Sequence, residues 1–454
     1  MTPDVRRFSF ESRSKLFIRE WRLRNFHAAI DHCVLTLKIA VAKPVLAGIS
    51  SRLLREFSMS DPRQHIMPVY RPPEEAFDRG EGVRLYTEEG REYLDFVAGI
   101  AVSSLGHSHP AMVEALQTQA GKLWHTSNMF RVPAGEELAA KMCARTFADR
   151  VFFTNSGTEA IECALKTARK YHWANGDEDR FEIVTFTGAF HGRSLGAINA
   201  GGNPNYLKGF GPALPGFTQI EWADMEALDK AVTSKTAAVL IEPVQGEGGV
   251  RALPEEDLTA MRKLCDERGA LLIYDEVQCG MGRTGKLFAH EWADDAQPDI
   301  MCVAKGVGGG FPFGACLTTE ATGTVMQPGS HGSTYGGNPL AMAVGNVVWD
   351  IIADEEFLAE VRRVSGTVVQ GLKSLADTHS DKVVGVTGKG LLIGLQLKAL
   401  PKPVQNACRD DGLLVGVAGN NVLRLAPPLV IQDSDVREAV ATMDAALGAW
   451  EIAT

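Results

Sequence analysis

Three short segments carry polar side chains that directly follow apolar runs: Asn155–Thr158, Asp275–Gln278 and Lys305. Each of the preceding runs has the length and composition of a buried strand. In a mostly parallel sheet the carboxyl ends of the strands meet at one edge, and ligands bind there. We therefore expect the three segments to meet at a single site.

The segment Asn155–Thr158 joins a predicted strand to a predicted helix through small residues. Such a turn leaves backbone N–H groups free, and the helix dipole adds partial positive charge. A phosphate group is the ligand that this arrangement suits. The same residue types also cap helices without binding a ligand, so capping alone is the alternative role.

Asp275 closes a fully apolar run, where an unpaired carboxylate is costly to bury. A protonated pyridine nitrogen is a cation that would offset this cost. The alternative role for Asp275 is to cap the loop that follows the strand.

Lys305 also ends an apolar run, and the glycine-rich segment Gly306–Gly310 follows it. Burial disfavours the charged ammonium, lowers the pKa and makes the amine a nucleophile and a base. A lysine that extends from a strand end to solvent is the alternative. Together, a phosphate anchor, a pyridinium partner and an imine-forming lysine are the groups that a pyridoxal-5′-phosphate (PLP) enzyme needs.

The elements that position these residues have an α/β pattern. From Arg150 onward, short apolar runs alternate with helical patterns such as Glu159–Tyr171 and Leu258–Arg268. This alternation predicts a mostly parallel sheet that is covered by helices on both faces. The predicted strands are Val151–Thr154, Ile183–Phe186, Ala237–Ile241, Leu271–Asp275, Ile300–Ala304 and Gly314–Thr318.

Outside this core the sequence predicts a hairpin and a smaller α+β domain. The hairpin joins Val83–Tyr86 to Glu92–Asp95 across Glu89 and Gly90. The smaller domain is predicted from its β runs and its last helix, which are Leu391–Leu397, Leu413–Val417, Val422–Leu425 and Ser434–Trp450.

The chain is predicted to have four parts. Residues 1–58 carry eleven Lys and Arg against five Asp and Glu, in a chain whose net charge is −10. Three explanations stay open for this basic extension: sequence upstream of a start near Met59, a targeting presequence, or an amphipathic arm. Residues 59–118 are predicted to pack with the small domain, 119–344 to form the large cofactor-binding domain, and 345–454 to form the small C-terminal domain.

Composition also argues against several classes of function. The net charge of −10 argues against nucleic acid as a partner. The eight cysteines form no C-x-x-C pair, and His107 and His109 lack a nearby third ligand, so no disulfide framework or metal site is predicted. The apolar stretch Val34–Ile49 is short for a membrane span and contains two lysines. We expect a cytoplasmic protein, or a mitochondrial one if residues 1–58 are a presequence.

From about His65 to the C-terminus, the sequence resembles the class III aminotransferases of PLP fold type I. The fold implied is a large α/β domain with a mostly parallel central sheet, plus a smaller α+β C-terminal domain. The motifs that carry the resemblance are, in chain order, Leu94–Val102, Gly106–Pro110, Asn155–Ala160, Phe190–Arg193, Glu242–Glu247, Asp275–Gln278, Gly282–Gly285, Lys305, Gly332–Asn338 and Leu423–Pro428.

The resemblance implies a role for each matching residue at the cofactor. Lys305 would hold PLP as a Schiff base and would move the proton between the substrate and the cofactor. Asp275 would pair with the ring nitrogen. The other contacts implied are Ser156, Gly157 and Thr158 at the phosphate, Phe190 and Val277 on the two ring faces, Gln278 at the ring hydroxyl, and Thr334 at the phosphate of a neighbouring subunit.

Two arginines are implied for substrate, because a planar guanidinium suits a carboxylate. Arg193 would bind the α-carboxylate of the amino donor and later the far carboxylate of 2-oxoglutarate. Arg424 would bind the glutamate α-carboxylate, with Glu247 covering it while the donor is bound. Ser333 would touch substrate. An ordinary ion pair between Arg424 and Glu247 is the alternative.

Within the family, the sequence is most similar to the members that use N-acetylornithine and 2-oxoglutarate in arginine biosynthesis. The similarity rests on Ala98–Val102, on the context of Arg193 and on the compact C-terminal domain. N-succinyl-diaminopimelate, succinylornithine, ornithine and GABA are alternative donors. A non-catalytic binding protein of this fold would lack the lysine or the aspartate. A homodimer with shared active sites is also implied.

Overall fold

The computed structural model describes residues 62–452, so the predicted basic extension of residues 1–58 lies outside the described residues. Two compact units divide the chain after Glu74. In the first unit the described part contains the short 3₁₀ helix Pro62–His65 and an ion pair of 2.7 Å between Arg63 and Glu74. No helix within residues 62–452 has the length and apolar character needed to cross a membrane.

The second unit, from Glu75 onward, contains strands and helices in alternation through its middle part. Its strands are β1 (Phe77–Glu81), β2 (Arg84–Thr87), β3 (Glu92–Asp95), β4 (Arg150–Thr154), β5 (Glu182–Phe186), β6 (Phe217–Ile220), β7 (Thr236–Ile241), β8 (Val244–Gln245), β9 (Arg251–Ala252), β10 (Leu271–Asp275), β11 (Ile300–Val303), β12 (Gly314–Thr318), β13 (Val383–Lys389), β14 (Leu392–Leu397), β15 (Leu413–Leu414), β16 (Gly416–Ala418) and β17 (Val422–Leu425).

The α-helices of this unit are spread along its whole length. They are α1 (Ala98–Ala101), α2 (Pro110–Ala120), α3 (Pro133–Arg145), α4 (Gly157–Ala174), α5 (Leu195–Gly201), α6 (Pro204–Leu207), α7 (Met225–Ala231), α8 (Glu255–Arg268), α9 (Glu320–Gly323), α10 (Pro339–Ile352), α11 (Glu355–Thr378), α12 (Lys402–Asp410) and α13 (Asp433–Ala449).

The large sheet has seven strands in the order β4-β12-β11-β10-β7-β5-β6. Strand β12 runs antiparallel to β4 and β11, and the other neighbours are parallel. The prediction of a mostly parallel sheet is therefore confirmed, with all six predicted strands present. Strand β6 was not predicted, because this short edge strand reads Phe-Thr-Gln-Ile and is only half buried.

Helices cover both faces of this sheet, and its central strands β7, β10 and β11 are buried at every position. Alternate side chains of a strand point to opposite faces. Ile273 packs in one cluster with Ile161 of α4. Its neighbour Leu272 packs in another cluster with Met261 of α8. Burial on both faces explains why these strands read as continuous apolar runs rather than as alternating ones.

Strands near the beginning and the end of this unit form two smaller sheets of four strands each. Strands β13, β14, β17 and β16 form an antiparallel sheet. The predicted hairpin is confirmed by the antiparallel pairing of β2 with β3, and β15 joins that sheet beside β3. The single run predicted for Leu413–Val417 is wrong, because β15 and β16 bond to different sheets. The predicted domain boundaries remain predictions, and helix α10 runs across position 344/345.

Asp95, at the end of β3, fixes a left-handed turn that leads towards the sheet edge. Ala98, Gly99, Ile100 and Ala101 all have positive φ, between 48° and 68°. This conformation costs roughly 1–2 kcal/mol for each residue with a side chain. Asp95 is buried, accepts hydrogen bonds from the backbone N–H groups of the two residues before Gly99, at 2.8 and 2.9 Å, and lies 2.8 Å from a ring nitrogen of a nearby histidine.

We predict that Asp95→Ala lowers the free energy of unfolding by about 2–3 kcal/mol, because three buried or half-buried hydrogen-bonding groups lose their partner. Chemical denaturation measures the change. The control is Asp78→Ala on the exposed strand β1, which should leave the midpoint nearly unchanged. Equal midpoints for the two variants would contradict this role of Asp95.

Candidate active site

A cavity of about 420 Å³ lies at the carboxyl ends of the strands of the large sheet. All three segments singled out from the sequence contribute to its wall, together with the loops after β5 and β7. The lining residues are Val102, Asn155, Ser156, Gly157, Thr158, Phe190, His191, Gly192, Arg193, Glu242, Asp275, Val277, Gln278, Ala304, Lys305 and Gly310–Phe313.

The N-terminus of helix α4 forms one wall of the cavity. Ser156 is the N-cap, and its hydroxyl accepts a hydrogen bond from the backbone N–H of Glu159 at 3.4 Å. Gly157 and Thr158 follow as the first helical residues. The first N–H groups of a helix have no intrahelical acceptor, so this wall presents donors and partial positive charge to the cavity.

Two glycines allow this wall to be closely packed. A Cβ atom at Gly157 would lie 2.8 Å from a methyl group of Val277. A Cβ atom at Gly192 would lie 2.3 Å from the hydroxyl of Thr158, and Gly192 has φ +123°. Larger residues at these two positions would push the loops apart and open the cradle around the helix N-terminus.

Asp275 lines the same cavity from the end of β10. Its carboxylate is 3% exposed, accepts a hydrogen bond from the backbone N–H of Val277 at 3.0 Å, and lies 2.8 Å from Nδ1 of His191. His191 Nε2 is buried and has no hydrogen-bond partner within residues 62–452. In the same part of the chain no Lys or Arg forms an ion pair with Asp275. The site therefore retains a buried carboxylate suited to a cation.

Lys305 follows β11 after one intervening residue, Ala304, and lines the same cavity. Its backbone has φ +47°, a region that costs energy for a residue with a side chain. Burial lowers the pKa of Lys305 to about 8, with Arg424 adding to the shift and the carboxylates of Glu247, Asp275 and Glu242 opposing it. Its amine is therefore neutral at a lower pH than that of an ordinary lysine.

Glu242, the first residue of one of the motifs that carry the family resemblance, also lines the cavity. Burial raises its pKa well above the usual range, and the nearby charge of Asp275 adds to this shift. Its carboxyl group accepts a hydrogen bond from the backbone N–H of Phe190 at 3.1 Å. The signal available in the sequence was the position of Glu242 directly after the buried strand β7.

Arg424 and Glu247 form an ion pair beside the cavity rather than within its lining. Arg424 is 6% exposed on β17, and its Nη1 donates to Glu247 Oε1. The same nitrogen lies 3.4 Å from Oε1 of Gln278, whose amide nitrogen lies 3.5 Å from Glu247. Gln278 thus links the ion pair to the cavity, a contact that sequence reasoning missed.

Ser333 and Thr334 line a neighbouring cavity of about 370 Å³, which also touches Thr158. The hydroxyl of Ser333 accepts hydrogen bonds from the side chain of Asn155 at 3.1 Å and from the backbone of Gly336 at 2.9 Å. Thr334 is exposed. Neither residue lines the main cavity of its own chain.

Arg193 is an exposed residue that lines the main cavity. Its guanidinium carbon lies 3.8 Å from the ring centre of Tyr206, a residue that sequence reasoning missed, and 5.4 Å from that of Phe190. The two arginines therefore have different neighbours. Arg193 lies against aromatic rings, whereas Arg424 is paired with the carboxylate of Glu247.

Among curated proteins, the chain is similar in sequence to several that are named as acetylornithine aminotransferases. The chain is 55% identical over 390 residues to acetylornithine aminotransferase 2 of Caulobacter vibrioides, covering 86% of this chain and 96% of that protein. It is 55% identical to the acetylornithine aminotransferase of Mesorhizobium japonicum, covering 80% and 91%.

Solved structures of similar proteins have the same fold. The ornithine aminotransferase of Toxoplasma gondii superposes with a TM-score of 0.82 at 32% identity, covering 85% of this chain and 93% of that one. The N-acetylornithine aminotransferase of Stenotrophomonas maltophilia superposes with a TM-score of 0.73 at 39% identity, covering 84% and 97%. These proteins have PLP fold type I, which confirms the expected fold.

The site fits PLP, the cofactor of this family of enzymes. The helix N-terminus suits a phosphate, the buried carboxylate of Asp275 lacks a Lys or Arg partner among the described residues, and Lys305 has a lowered pKa. The family model for class-III aminotransferases matches residues 68–447. The chain is therefore a PLP-dependent enzyme that belongs to the class-III aminotransferases.

Proposed function

We propose that the protein transfers the terminal amino group of N-acetylornithine to 2-oxoglutarate, giving N-acetylglutamate 5-semialdehyde and glutamate. The observation that carries the proposal is one cavity with Lys305, Asp275 and Arg193 in its wall and a second arginine, Arg424, paired with Glu247 beside it. The relatives named as acetylornithine aminotransferases support this choice of donor. The reaction belongs to arginine biosynthesis, and N-succinyl-diaminopimelate is proposed as a further donor.

PLP, when bound, supplies an aldehyde that takes up amines and a pyridine ring that accepts the electron pair released at the substrate carbon. Asp275 would hold the ring nitrogen protonated, with His191 orienting the carboxylate at 2.8 Å. Lys305 would bind the aldehyde carbon and then take and return the proton at the substrate carbon, for which its lowered pKa is suited.

The remaining cavity residues would orient the cofactor. Ser156, Gly157 and Thr158 would bind the phosphate through the start of α4. Phe190 and Val277 lie on loops from different strands and would hold the two faces of the ring. Gln278 would approach the ring hydroxyl, and its contacts with Arg424 and Glu247 would then connect the cofactor with the carboxylate site.

Two substrates with different charges must use the same cavity in turn. Arg193, which has no carboxylate partner within residues 62–452, would bind the donor α-carboxylate and then the far carboxylate of 2-oxoglutarate. Arg424 would bind the α-carboxylate of glutamate when Glu247 moves aside, and Ser333 would touch substrate. A purely structural ion pair remains the alternative for Arg424 and Glu247.

We also propose a homodimer in which Thr334 reaches the phosphate site of the neighbouring subunit. The exposed position of Thr334, outside the main cavity of its own chain, supports this role. A cytoplasmic location is proposed as well. A targeting sequence within residues 1–58 would instead place the protein in mitochondria.

Ornithine is the second candidate donor, because the backbone superposes with a higher TM-score on an ornithine aminotransferase than on the N-acetylornithine enzyme, 0.82 against 0.73. The higher sequence identity to the acetylornithine enzymes favours N-acetylornithine. The two donors differ by an acetyl group, which removes the charge of the α-amine.

We predict that N-acetylornithine converts the visible absorbance of the bound cofactor faster than ornithine, succinylornithine or GABA, and that 2-oxoglutarate restores it. Rapid-mixing spectroscopy with each amine separately measures these rates. Lys305→Ala is the control and should show no turnover with any donor. If ornithine or GABA reacts fastest, the proposed donor is wrong. Turnover by Lys305→Ala would contradict the role of the lysine.

We predict that the rate at which PLP adds to the apoprotein rises through about pH 8 and levels off above it. Only the neutral amine adds to the aldehyde, so the rate falls as the pH drops below the pKa of Lys305, which is about 8. The appearance of visible absorbance measures the rate, with Lys305→Ala as the control. A rate still climbing towards pH 10.5, the ordinary value for lysine, would contradict this prediction.

We predict that Arg424→Ala raises the KM for glutamate and 2-oxoglutarate by about tenfold to a hundredfold, since a bidentate carboxylate contact is lost. The half-reaction with N-acetylornithine should change by about threefold or less. The companion variant Glu247→Gln should shift the preference towards glutamate, because Arg424 is then uncovered. Equal losses in both half-reactions would instead support a purely structural ion pair.

A further inference from the structure

We propose that Tyr206 is a positioning residue for Arg193, holding its guanidinium at the cavity wall where a substrate carboxylate binds. The inference rests on the proposed function, because it concerns the arginine assigned there to the donor and to 2-oxoglutarate. It adds a residue outside the cavity lining to the determinants of carboxylate binding.

The contact joins three side chains in a row. The guanidinium carbon of Arg193 lies 3.8 Å from the ring centre of Tyr206. The ring of Tyr206 in turn meets the ring of Phe190 edge to face, with centres 6.0 Å apart and planes at 89°. Phe190 is the residue proposed to hold the cofactor ring. Arg193 is thus placed with reference to the cofactor through Tyr206.

An aromatic partner leaves the hydrogen-bond donors of a guanidinium available. The attraction acts through the face of the ring, whereas a carboxylate binds at the N–H edge. Among residues 62–452, no carboxylate forms an ion pair with Arg193. Arg424 shows the opposite arrangement, because its Nη1 donates to the carboxylate of Glu247. Tyr206 can therefore fix Arg193 without competing with the substrate.

The backbone beside Arg193 is already fixed, so the side chain is the part that needs support. The backbone N–H of Arg193 donates to the hydroxyl of Thr158 at 3.3 Å, and Gly192 packs directly against the same side chain. A long exposed arginine otherwise samples many rotamers, and this freedom is lost when a ligand binds. A ring that restricts the rotamers of Arg193 before the ligand binds therefore improves the affinity for a carboxylate.

The position of Tyr206 is itself held by local structure. It lies half-buried on the short helix α6, which Asn203 caps by accepting a hydrogen bond from the backbone N–H of Asn205 at 3.0 Å. The hydroxyl of Tyr206 has no hydrogen-bond partner within the described residues. The aromatic face rather than the hydroxyl is therefore the feature that Arg193 uses.

The test compares Tyr206→Leu, which removes the ring, with Tyr206→Phe, which keeps it. Glutarate is the probe, because this five-carbon dicarboxylate has no keto or amino group with which to react. We expect its Kd for the holoenzyme to rise about threefold to tenfold in Tyr206→Leu, and the KM for 2-oxoglutarate to rise with it. The Kd for Tyr206→Phe should stay within about twofold, and kcat and the cofactor absorbance should change little in either variant.

Two further variants separate this inference from its foundation. Tyr86→Leu is the matched control, because Arg79 lies 3.7 Å over that ring away from the cavity, and glutarate binding should not change. Arg193→Ala should weaken glutarate binding on its own, and Tyr206→Leu should then add no further loss.

Each outcome has a distinct meaning. If Arg193→Ala leaves glutarate binding unchanged, the proposed role of Arg193 fails and the inference fails with it. If Arg193→Ala weakens binding but Tyr206→Leu does not, only the role of Tyr206 is overturned. A loss in Tyr206→Phe equal to that in Tyr206→Leu, or a further loss on the Arg193→Ala background, would also overturn it.

Discussion

The buried carboxylate of Asp275 is the constraint on which the site depends. A charge that is 3% exposed at the end of an apolar strand is unfavourable unless groups around it compensate. The protein supplies a backbone N–H and a histidine nitrogen, and in the proposed function the pyridine nitrogen of the cofactor would be the cationic partner. Binding of PLP would then stabilise the folded site as well as enable the reaction.

Burial in this cavity also shifts the pKa values of Lys305 and Glu242. Desolvation lowers the pKa of Lys305. The carboxyl groups of Glu247, Asp275 and Glu242 oppose this shift, so the pKa is about 8 rather than lower. Glu242 responds in the other direction, because burial and the neighbouring Asp275 raise its pKa. Two carboxyl groups in one cavity wall disfavour each other's ionisation, and the raised pKa of Glu242 reduces the negative charge that this wall presents.

Much of the fold and of the site was predictable from the sequence because the relevant signals are local. Continuous apolar runs predicted the six main strands, and the polar residues after those runs predicted which strand ends meet. Strand β6 and the division between β15 and β16 were missed, since a half-buried edge and a change of sheet depend on distant partners. The contact of Gln278 with Arg424 and that of Tyr206 with Arg193 were missed for the same reason: each joins segments that only the tertiary structure brings together.

The two arginines show how one cavity can serve substrates of different charge. A donor with one carboxylate needs one exposed cation, and a second exposed cation would favour the dicarboxylate even in the first half-reaction. In the proposed function, covering Arg424 with Glu247 would remove that preference at the cost of a carboxylate near the cofactor. Arg193 would have no such need, because both proposed substrates would use it. An aromatic neighbour would hold Arg193 in place yet leave its charge available. A carboxylate neighbour would then mark the arginine used in one half-reaction, and a ring neighbour the arginine used in both.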